Sequence, residues 1–146
     1  MASIFINEFH YKGTGTSEFV EIAGPAGTNL SNYSVVIYNN DGTILKEETL
    51  SGTIQNQANG FGTVSVEFND IPEDGAIALV NGATVDQFLS YGGTVTATAD
   101  PTGVTGFSGT TSTGIGVVEV TETGSLQLQG TGAMDSDFLW KRVDAS

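Results

Sequence analysis

The segment Phe61–Phe68, with the sequence FGTVSVEF, decides the fold class because its side chains alternate along the whole run. Val64, Val66 and Phe68 share one face, while the other face holds Phe61 and three polar residues. A period of two is typical of a β-strand with one buried and one solvated side. The segment therefore predicts a strand that packs one face against a hydrophobic core and exposes the other face to solvent.

Outward from this strand, short apolar or β-branched runs recur between glycine-rich turns, a spacing that predicts about ten strands. The other predicted strands are Ser3–Phe9, Glu18–Ala23, Tyr33–Asn39, Thr43–Leu50, Ala76–Val80, Val85–Tyr91, Val95–Ala99, Val117–Val120, Leu126–Leu128 and Phe138–Trp140. No segment shows a helical period. The sequence therefore predicts an all-β fold, a β-sandwich of two mainly antiparallel sheets.

Local signals predict how some of these strands are arranged. The first two strands are predicted to pair, and the turn at Asp41-Gly42 predicts a tight hairpin between the third and fourth. The continuous apolar run Ala76–Val80 is typical of a central strand. The stretch Asp100–Gly116 is rich in Gly, Thr and Ser and is predicted to be a surface loop.

Composition limits the partners of the chain. A length of 146 residues predicts one domain, 1–146. Residues Lys141–Ser146 follow the last predicted strand without a stop signal, so the domain is expected to be a module of a longer protein. Seventeen acidic and four basic residues give a net charge of −13, which repels polyphosphates and anionic membranes. Nucleic acid is therefore not an expected partner. Membrane insertion is not expected either, because no window approaches the roughly 20 apolar residues of a membrane helix.

Residues for catalysis are scarce. The chain has no cysteine, which excludes disulfides, thiol nucleophiles and zinc–thiolate sites. Its one histidine, His10, follows the first predicted strand, where a hydrogen-bonding surface role is expected. The glycine-rich stretches are not followed by a helix or by a lysine at phosphate-binding spacing. These patterns predict a protein that is not an enzyme.

Acidic residues provide the candidates for a cation site. Glu8 shares strand parity with Ile4 and Ile6, and Glu21 shares parity with Phe19, so both carboxylates are predicted to be half-buried. Half-buried carboxylates need hydrogen-bond donors, which is the structural interpretation. The alternative is an irregular calcium site, because calcium prefers oxygen ligands. The candidate ligands are Glu8, Glu21, Asp41, Asp135 and Asp137, with Glu73 and Asp74 as a further pair.

Aromatic residues provide the candidates for a binding surface. Tyr11 borders a polar loop and, with the adjacent His10, is the predicted partner-binding site. Trp140 shares its strand with Phe138 and is expected to pack in the core. The other aromatic candidates are Tyr33, Tyr38 and Tyr91.

Several segments together resemble the lamin-tail domain in its bacterial form. They are Ile4–Phe9 (IFINEF), Glu18–Gly24 (EFVEIAG), Leu30–Ser34, Val36–Asn39, Gly75–Val80, Phe88–Tyr91, Thr113–Gly116 and Ser125–Gly132. The resemblance implies an immunoglobulin-like β-sandwich that accompanies secreted or surface hydrolases as an accessory module. It implies no catalytic residues. The nuclear role of related lamin domains is not carried over, because this chain is acidic and lacks a coiled-coil rod.

Three functional hypotheses follow. The first is a non-catalytic interaction or attachment module that binds protein or carbohydrate, extracellular or on the cell surface, with its export signal outside this chain; a cytoplasmic location stays open. The second is a calcium-stabilised structural spacer of a secreted or surface protein. The third is a hydrolase that uses Glu8 and Glu21 as its acid and base.

Overall fold

The computed structural model describes residues 4–11, 18–68, 71–116, 125–130 and 138–143. These residues form strands and no helix, so they include no helix that could span a membrane. The ten strands in this part of the chain are β1 (Phe5–His10), β2 (Glu18–Pro25), β3 (Tyr33–Asn39), β4 (Ile44–Thr49), β5 (Phe61–Phe68), β6 (Gly75–Asn81), β7 (Thr84–Tyr91), β8 (Thr113–Gly114), β9 (Ser125–Gly130) and β10 (Phe138–Val143).

Residue contacts divide the chain into two compact units, each with one five-stranded sheet. Unit 1 comprises Met1–Leu30, Ser51–Ile71 and Val117–Ser146, and its strand order is β10-β9-β1-β2-β5. Unit 2 comprises Ser31–Leu50 and Pro72–Gly116, with the order β4-β3-β6-β7-β8. Among the described strands only β7 and β8 pair in parallel. The predicted fold class, an immunoglobulin-like β-sandwich of two mainly antiparallel sheets, is confirmed.

A β-bulge in β1 determines which side chains share a face of the unit 1 sheet. Ile6 lies opposite Ile22 and Glu8 lies opposite Glu21, so Asn7 is an extra residue between the two pairs. Such an insertion reverses the alternation of the residues that follow it. Glu8 therefore lies on the opposite face from Ile6, and the prediction that these two side chains share a face is wrong.

The bulge gives the unit 1 sheet one apolar face and one polar face. The apolar face carries side chains that are almost fully buried, namely Ile6, Phe9, Val20, Ile22 and Leu126. The opposite face, called the polar face below, carries half-buried Glu8 and Glu21. Ala23 is two residues from Glu21 and lies opposite Phe5, so both of these residues are on the polar face as well.

Unit 2 is organised around β6, which lies between β3 and β7 as the apolar run Ala76–Val80 predicted. A buried cluster on one face of this sheet includes Val36, Tyr38, Ala78 and Phe88. Side chains from the connection after β7 join the same cluster, namely Val95, Ala97, Val104 and the partly buried Phe107. The long connection therefore contributes to the core of unit 2.

The predicted strand Val95–Ala99 is wrong. In this segment only Thr96 forms a β-bridge, and its partner is Thr111. Val95 and Ala97 alternate with exposed residues and bury their side chains, which explains the strand-like pattern. Their backbone groups bond to residues 109–112, including a bond from Val95 N–H to Ser112 Oγ at 2.8 Å, so no regular ladder forms.

Carboxylates hold the predicted surface loop Asp100–Gly116 in place. Asp100 accepts three backbone N–H bonds, from Gly106, Phe107 and Ser108. Glu47 on β4 accepts bonds from Thr102 N–H at 2.8 Å and Thr102 Oγ1 at 2.6 Å. The first part of the loop is therefore an ordered element of unit 2.

A buried tyrosine ties the same loop to the sheet. The Tyr38 hydroxyl donates to the Ala99 carbonyl at 2.8 Å. Burial raises the pKa of Tyr38 above its ordinary value, and the negative charges of Glu47 and Asp100 act in the same direction. Tyr38 thus stays a neutral hydrogen-bond donor across the physiological pH range.

Candidate functional site

A row of five directly opposed residues crosses the polar face of unit 1. The row runs over all five strands as Lys141, Gln127, Glu8, Glu21 and Ser65. Two carboxylates thus occupy neighbouring positions in its centre. Opposed side chains on an antiparallel pair have Cβ atoms roughly 4.5–5.5 Å apart, and like charges at such positions are unfavourable.

Hydrogen bonds from neighbouring side chains position the two carboxylates. Glu8 Oε1 accepts bonds from Ser125 Oγ at 3.0 Å and from Gln127 Nε2 at 3.1 Å. Glu21 Oε1 accepts a bond from Asn7 Nδ2 at 2.7 Å. The prediction that these acids lie on neighbouring strands and need donors is confirmed. Glu18, which is buried, shows the same principle by accepting a bond from the Ile71 N–H.

An open groove of about 240 Å³ adjoins this row. Buried Phe5 lies in the groove beside half-buried Phe138, with ring centroids 5.9 Å apart. The remaining residues of the groove, which we call the aromatic groove, are Asn7, Ala23, Gln57, Ala58, Phe61, Gly62 and Thr63. Its lining is mostly apolar and aromatic, with amide and hydroxyl groups at a few positions. Such a lining is typical of binding sites for small ligands and for side chains.

Local backbone features of the segment before β5 build one wall of the aromatic groove. A two-residue turn at Asn59-Gly60 reverses the chain, and both residues have positive φ. Gln57 then bonds Thr63 through its side chain, accepting from the Thr63 N–H at 3.1 Å. Gly62 allows the segment before β5 to lie close to this strand, because a Cβ at Gly62 would lie 2.0 Å from the Gln55 carbonyl oxygen.

A second cleft of about 230 Å³ lies in unit 2, between the sheet and the loop residues Pro101 and Thr102. Its remaining lining residues are Ser34, Val36, Glu47, Thr49 and Val80. Both oxygens of the Glu47 carboxylate already bond Thr102. The charged group of this cleft is thus engaged in holding the loop.

The predicted metal ligands come together only in part. Glu8 and Glu21 lie opposite one another, whereas Asp41 belongs to unit 2. Asp135 and Asp137 lie outside the described residues. Among the residues that the structure describes, no three acidic or histidine side chains form a group that could hold a metal ion. In the other proposed pair, Asp74 accepts a bond from the Gly93 N–H at 3.2 Å.

Asp41 serves the hairpin turn between β3 and β4. Its Oδ1 accepts bonds from Thr43 Oγ1 at 2.6 Å and from the Thr43 N–H at 3.0 Å. These bonds lower the pKa of the exposed Asp41 carboxyl below its ordinary value. The structure thus confirms the predicted hairpin and explains Asp41 by the turn alone.

The predicted partner-binding residues are not on the surface. His10 is 4% exposed and lies beside Phe19, with ring centroids 6.1 Å apart. Tyr11 is 3% exposed and packs against Phe9. The prediction that both are exposed is wrong, because the strand-end position did not reveal the neighbouring rings. Tyr38 and Tyr91 are buried as well, with hydroxyls that donate to backbone carbonyls.

Trp140 is only half-buried, so the prediction that it packs in the core holds for its contact with a core ring and not for the whole side chain. Its ring meets the buried Phe9 edge to face, with ring centroids 5.4 Å apart. Phe138, two residues earlier, instead lines the aromatic groove. This groove was not predicted from the sequence, because Phe5 and Phe61 each look like ordinary strand residues. The signal that could have located it is the polar residue Asn7 within the apolar β1 segment.

Comparison with protein-family models, with curated proteins and with solved structures finds no match to this chain. The fold class therefore comes from the strand topology, and the function has to be argued from the polar face and the aromatic groove.

Proposed function

We propose that this chain is a non-catalytic interaction or attachment module that binds its partner at the aromatic groove of unit 1. The observation that carries this proposal is the groove itself, in which half-buried Phe61 and Phe138 accompany the buried ring of Phe5. Aromatic side chains supply large contact areas with little loss of rotamer entropy. The resemblance to bacterial lamin-tail domains, as accessory modules of secreted or surface proteins, supports the same class and an extracellular location.

Features of the polar face favour binding over catalysis. A glutamate that acts as a general acid or base must be within reach of a substrate and free to exchange a proton. Here Oε1 of each glutamate accepts bonds from neighbouring side chains, so structural hydrogen bonds already account for both carboxylates without a catalytic role. The rival hydrolase hypothesis predicts turnover of 4-nitrophenyl glycosides or esters that Glu8→Gln abolishes. We expect no release of 4-nitrophenol above the buffer rate.

A direct test of binding is an NMR titration of the ¹⁵N-labelled chain with a panel of short peptides and a panel of oligosaccharides. Phe61→Ser removes one aromatic wall of the groove. Leu45→Ser is the matched control, because Leu45 is an apolar residue that is 42% exposed on β4 of unit 2. We expect at least one probe to shift the backbone amide signals of Asn7, Ala23 and Thr63. These shifts should persist in Leu45→Ser and vanish in Phe61→Ser.

Two results would contradict the proposal: no probe of either panel shifts these amides, or the shifts are unchanged in Phe61→Ser. A circular-dichroism spectrum and a thermal melt of each variant establish that it is folded. If Phe61→Ser does not fold, Thr63→Arg replaces it in the titration. A long side chain at this half-buried position fills the groove and should abolish the amide shifts in the same way.

A calcium-stabilised spacer is the second candidate, and the direct opposition of Glu8 and Glu21 is the observation that favours it. A cation that binds only the folded chain stabilises it by RT ln(1 + L/Kd), where L is the free cation concentration, and therefore raises Tm. The spacer hypothesis predicts that millimolar calcium raises Tm by several degrees and that Glu21→Gln abolishes the rise. The binding-module hypothesis predicts the same Tm in calcium and in chelator.

A further inference from the structure

Asn7 connects the aromatic groove to a carboxylate. Its side chain lines the groove, and its Nδ2 donates to Glu21 Oε1 at 2.7 Å. Asn7 is also the inserted residue of the β1 bulge, and it is half-buried. The bulge thus places one amide between an apolar site and a negative charge.

Glu21 has room for a further partner. It is half-buried on the polar face, and the hydrogen bond from Asn7 engages Oε1. In the part of the chain that the structure describes, no donor bonds Glu21 Oε2. A carboxylate with a free oxygen at a partly shielded position binds ammonium and guanidinium groups through charge-assisted hydrogen bonds.

The spacing between the groove and Glu21 matches that of an extended peptide. Ala23 lines the groove and lies two residues from Glu21 on β2. Two residues of a strand span about 6.6–6.8 Å, and side chains at that spacing point to the same face. An extended ligand that runs along β2 therefore presents residues i and i+2 to the groove and to Glu21.

The charge of the chain favours a basic ligand. The net charge is −13, and Lys141 and Arg142 are the basic residues of the five strands in unit 1. Lys141 lies opposite Gln127, three strands away from Glu21 in the sheet order. At about 4.8 Å per strand this separation exceeds the Debye length of roughly 8 Å at physiological salt. Electrostatic attraction thus adds to contact at the site and steers cationic partners.

We propose that the aromatic groove binds an extended basic peptide, with an apolar side chain among Phe5, Phe61 and Phe138 and with a lysine or arginine two residues away paired with Glu21. This inference rests on the proposed binding function. The inferred ligand is a peptide and not a sugar, because a neutral sugar can donate a hydroxyl hydrogen bond to Glu21 but brings no positive charge to pair with the carboxylate.

The test measures the affinities of two matched peptides by NMR titration. The probe is Ac-Gly-Phe-Gly-Lys-Gly-NH₂, and the neutral partner has Gln in place of Lys. We expect wild type to bind the lysine peptide about threefold more tightly, the scale of one exposed ion pair. Glu21→Gln should remove this preference. Asp86→Asn, which makes the same charge change at an exposed residue of β7 in unit 2, should keep it.

The outcomes separate this inference from the proposed function. Equal affinities of wild type for the two peptides, or a preference that survives in Glu21→Gln, would overturn the inference. If the neutral peptide or an oligosaccharide still shifts the groove amides in a Phe61-dependent way, the binding function stands and the basic-peptide ligand is refuted. If no probe shifts the groove amides, both fail. The Glu21→Gln variant keeps an oxygen for Asn7 Nδ2 and should therefore remain folded.

Discussion

Substituting Gly42 of unit 2 by alanine should destabilise the folded chain far more than the matched change at Gly27 of unit 1. Both glycines have nearly the same positive φ, +87° at Gly42 and +85° at Gly27. Alanine at such a backbone conformation costs about 1 kcal/mol wherever it occurs. The two positions differ in their surroundings, which makes them a controlled pair.

Steric contact supplies the difference. A Cβ at Gly42 would lie 2.0 Å from the Thr96 carbonyl oxygen, whereas nothing lies within 4 Å of a Cβ at Gly27. Relief of the contact at Gly42 requires the loop to move, and overpacking of this kind costs about 1–3 kcal/mol. The movement also strains the bond from the Thr98 N–H to the Gly42 carbonyl at 2.9 Å. We expect a total cost of about 3 kcal/mol for Gly42→Ala.

Urea unfolding and a thermal melt, both followed by circular dichroism, measure the loss of unfolding free energy and of Tm in each variant. For a chain of this size 1 kcal/mol corresponds to about 3 °C in Tm. Gly42→Ala should therefore lower Tm by roughly 10 °C, and Gly27→Ala by roughly 3 °C. Equal losses at the two positions would refute the reasoning, because they would show that the loop after β7 does not press on the β3–β4 turn.

Three other changes test the loop, the turn and the polar face. Asp100→Ala removes the acceptor of three backbone N–H bonds and should cost about 1–2 kcal/mol of unfolding free energy; a loss no larger than that of Asp86→Ala would contradict this role. The Asp41 carboxyl has a folded-state pKa below its ordinary value of 3.8, so its contribution to stability is present above that pH and is lost as the pH falls through the lower, folded-state pKa. The urea midpoint of wild type should therefore fall more steeply than that of Asp41→Asn below pH 4, and parallel curves would exclude the effect. Glu21→Gln keeps the bond from Asn7 and removes one of two opposed charges, so it should raise the unfolding free energy by about 0.5 kcal/mol at low salt; a decrease would show that the Glu8–Glu21 pair is not repulsive.

The sequence predicts the strands well because alternation and turn chemistry are local signals. Tyr33–Asn39 and Phe61–Phe68 match β3 and β5 residue for residue. The same signal fails at Val95–Ala99, where Val95 and Ala97 alternate with exposed residues in an ordered loop. Alternation reports that every second side chain is buried, and it does not report whether the backbone pairs in a ladder.

The candidate site is harder to predict because it depends on a single inserted residue. The polar Asn7 stands out in IFINEF, but a polar residue does not by itself show a bulge, and without the bulge Glu8 would share a face with Ile6. The aromatic groove also needs Phe5, Phe61 and Phe138 to meet, although 77 residues separate the last two along the chain. His10 and Tyr11 were predicted to be exposed from their position beside a loop, and the rings that bury them are contributed in part by other strands.

The most direct test of the binding site is an isotope-filtered NOE experiment on the ¹³C-labelled chain with unlabelled Ac-Gly-Phe-Gly-Lys-Gly-NH₂. We expect NOEs from the phenylalanine ring of the peptide to Phe5, Phe61 and Phe138, and from its lysine side chain to Glu21. NOEs to the unit 2 cleft at Val36 and Val80 instead, or none to the three rings at saturating peptide, would contradict this binding site.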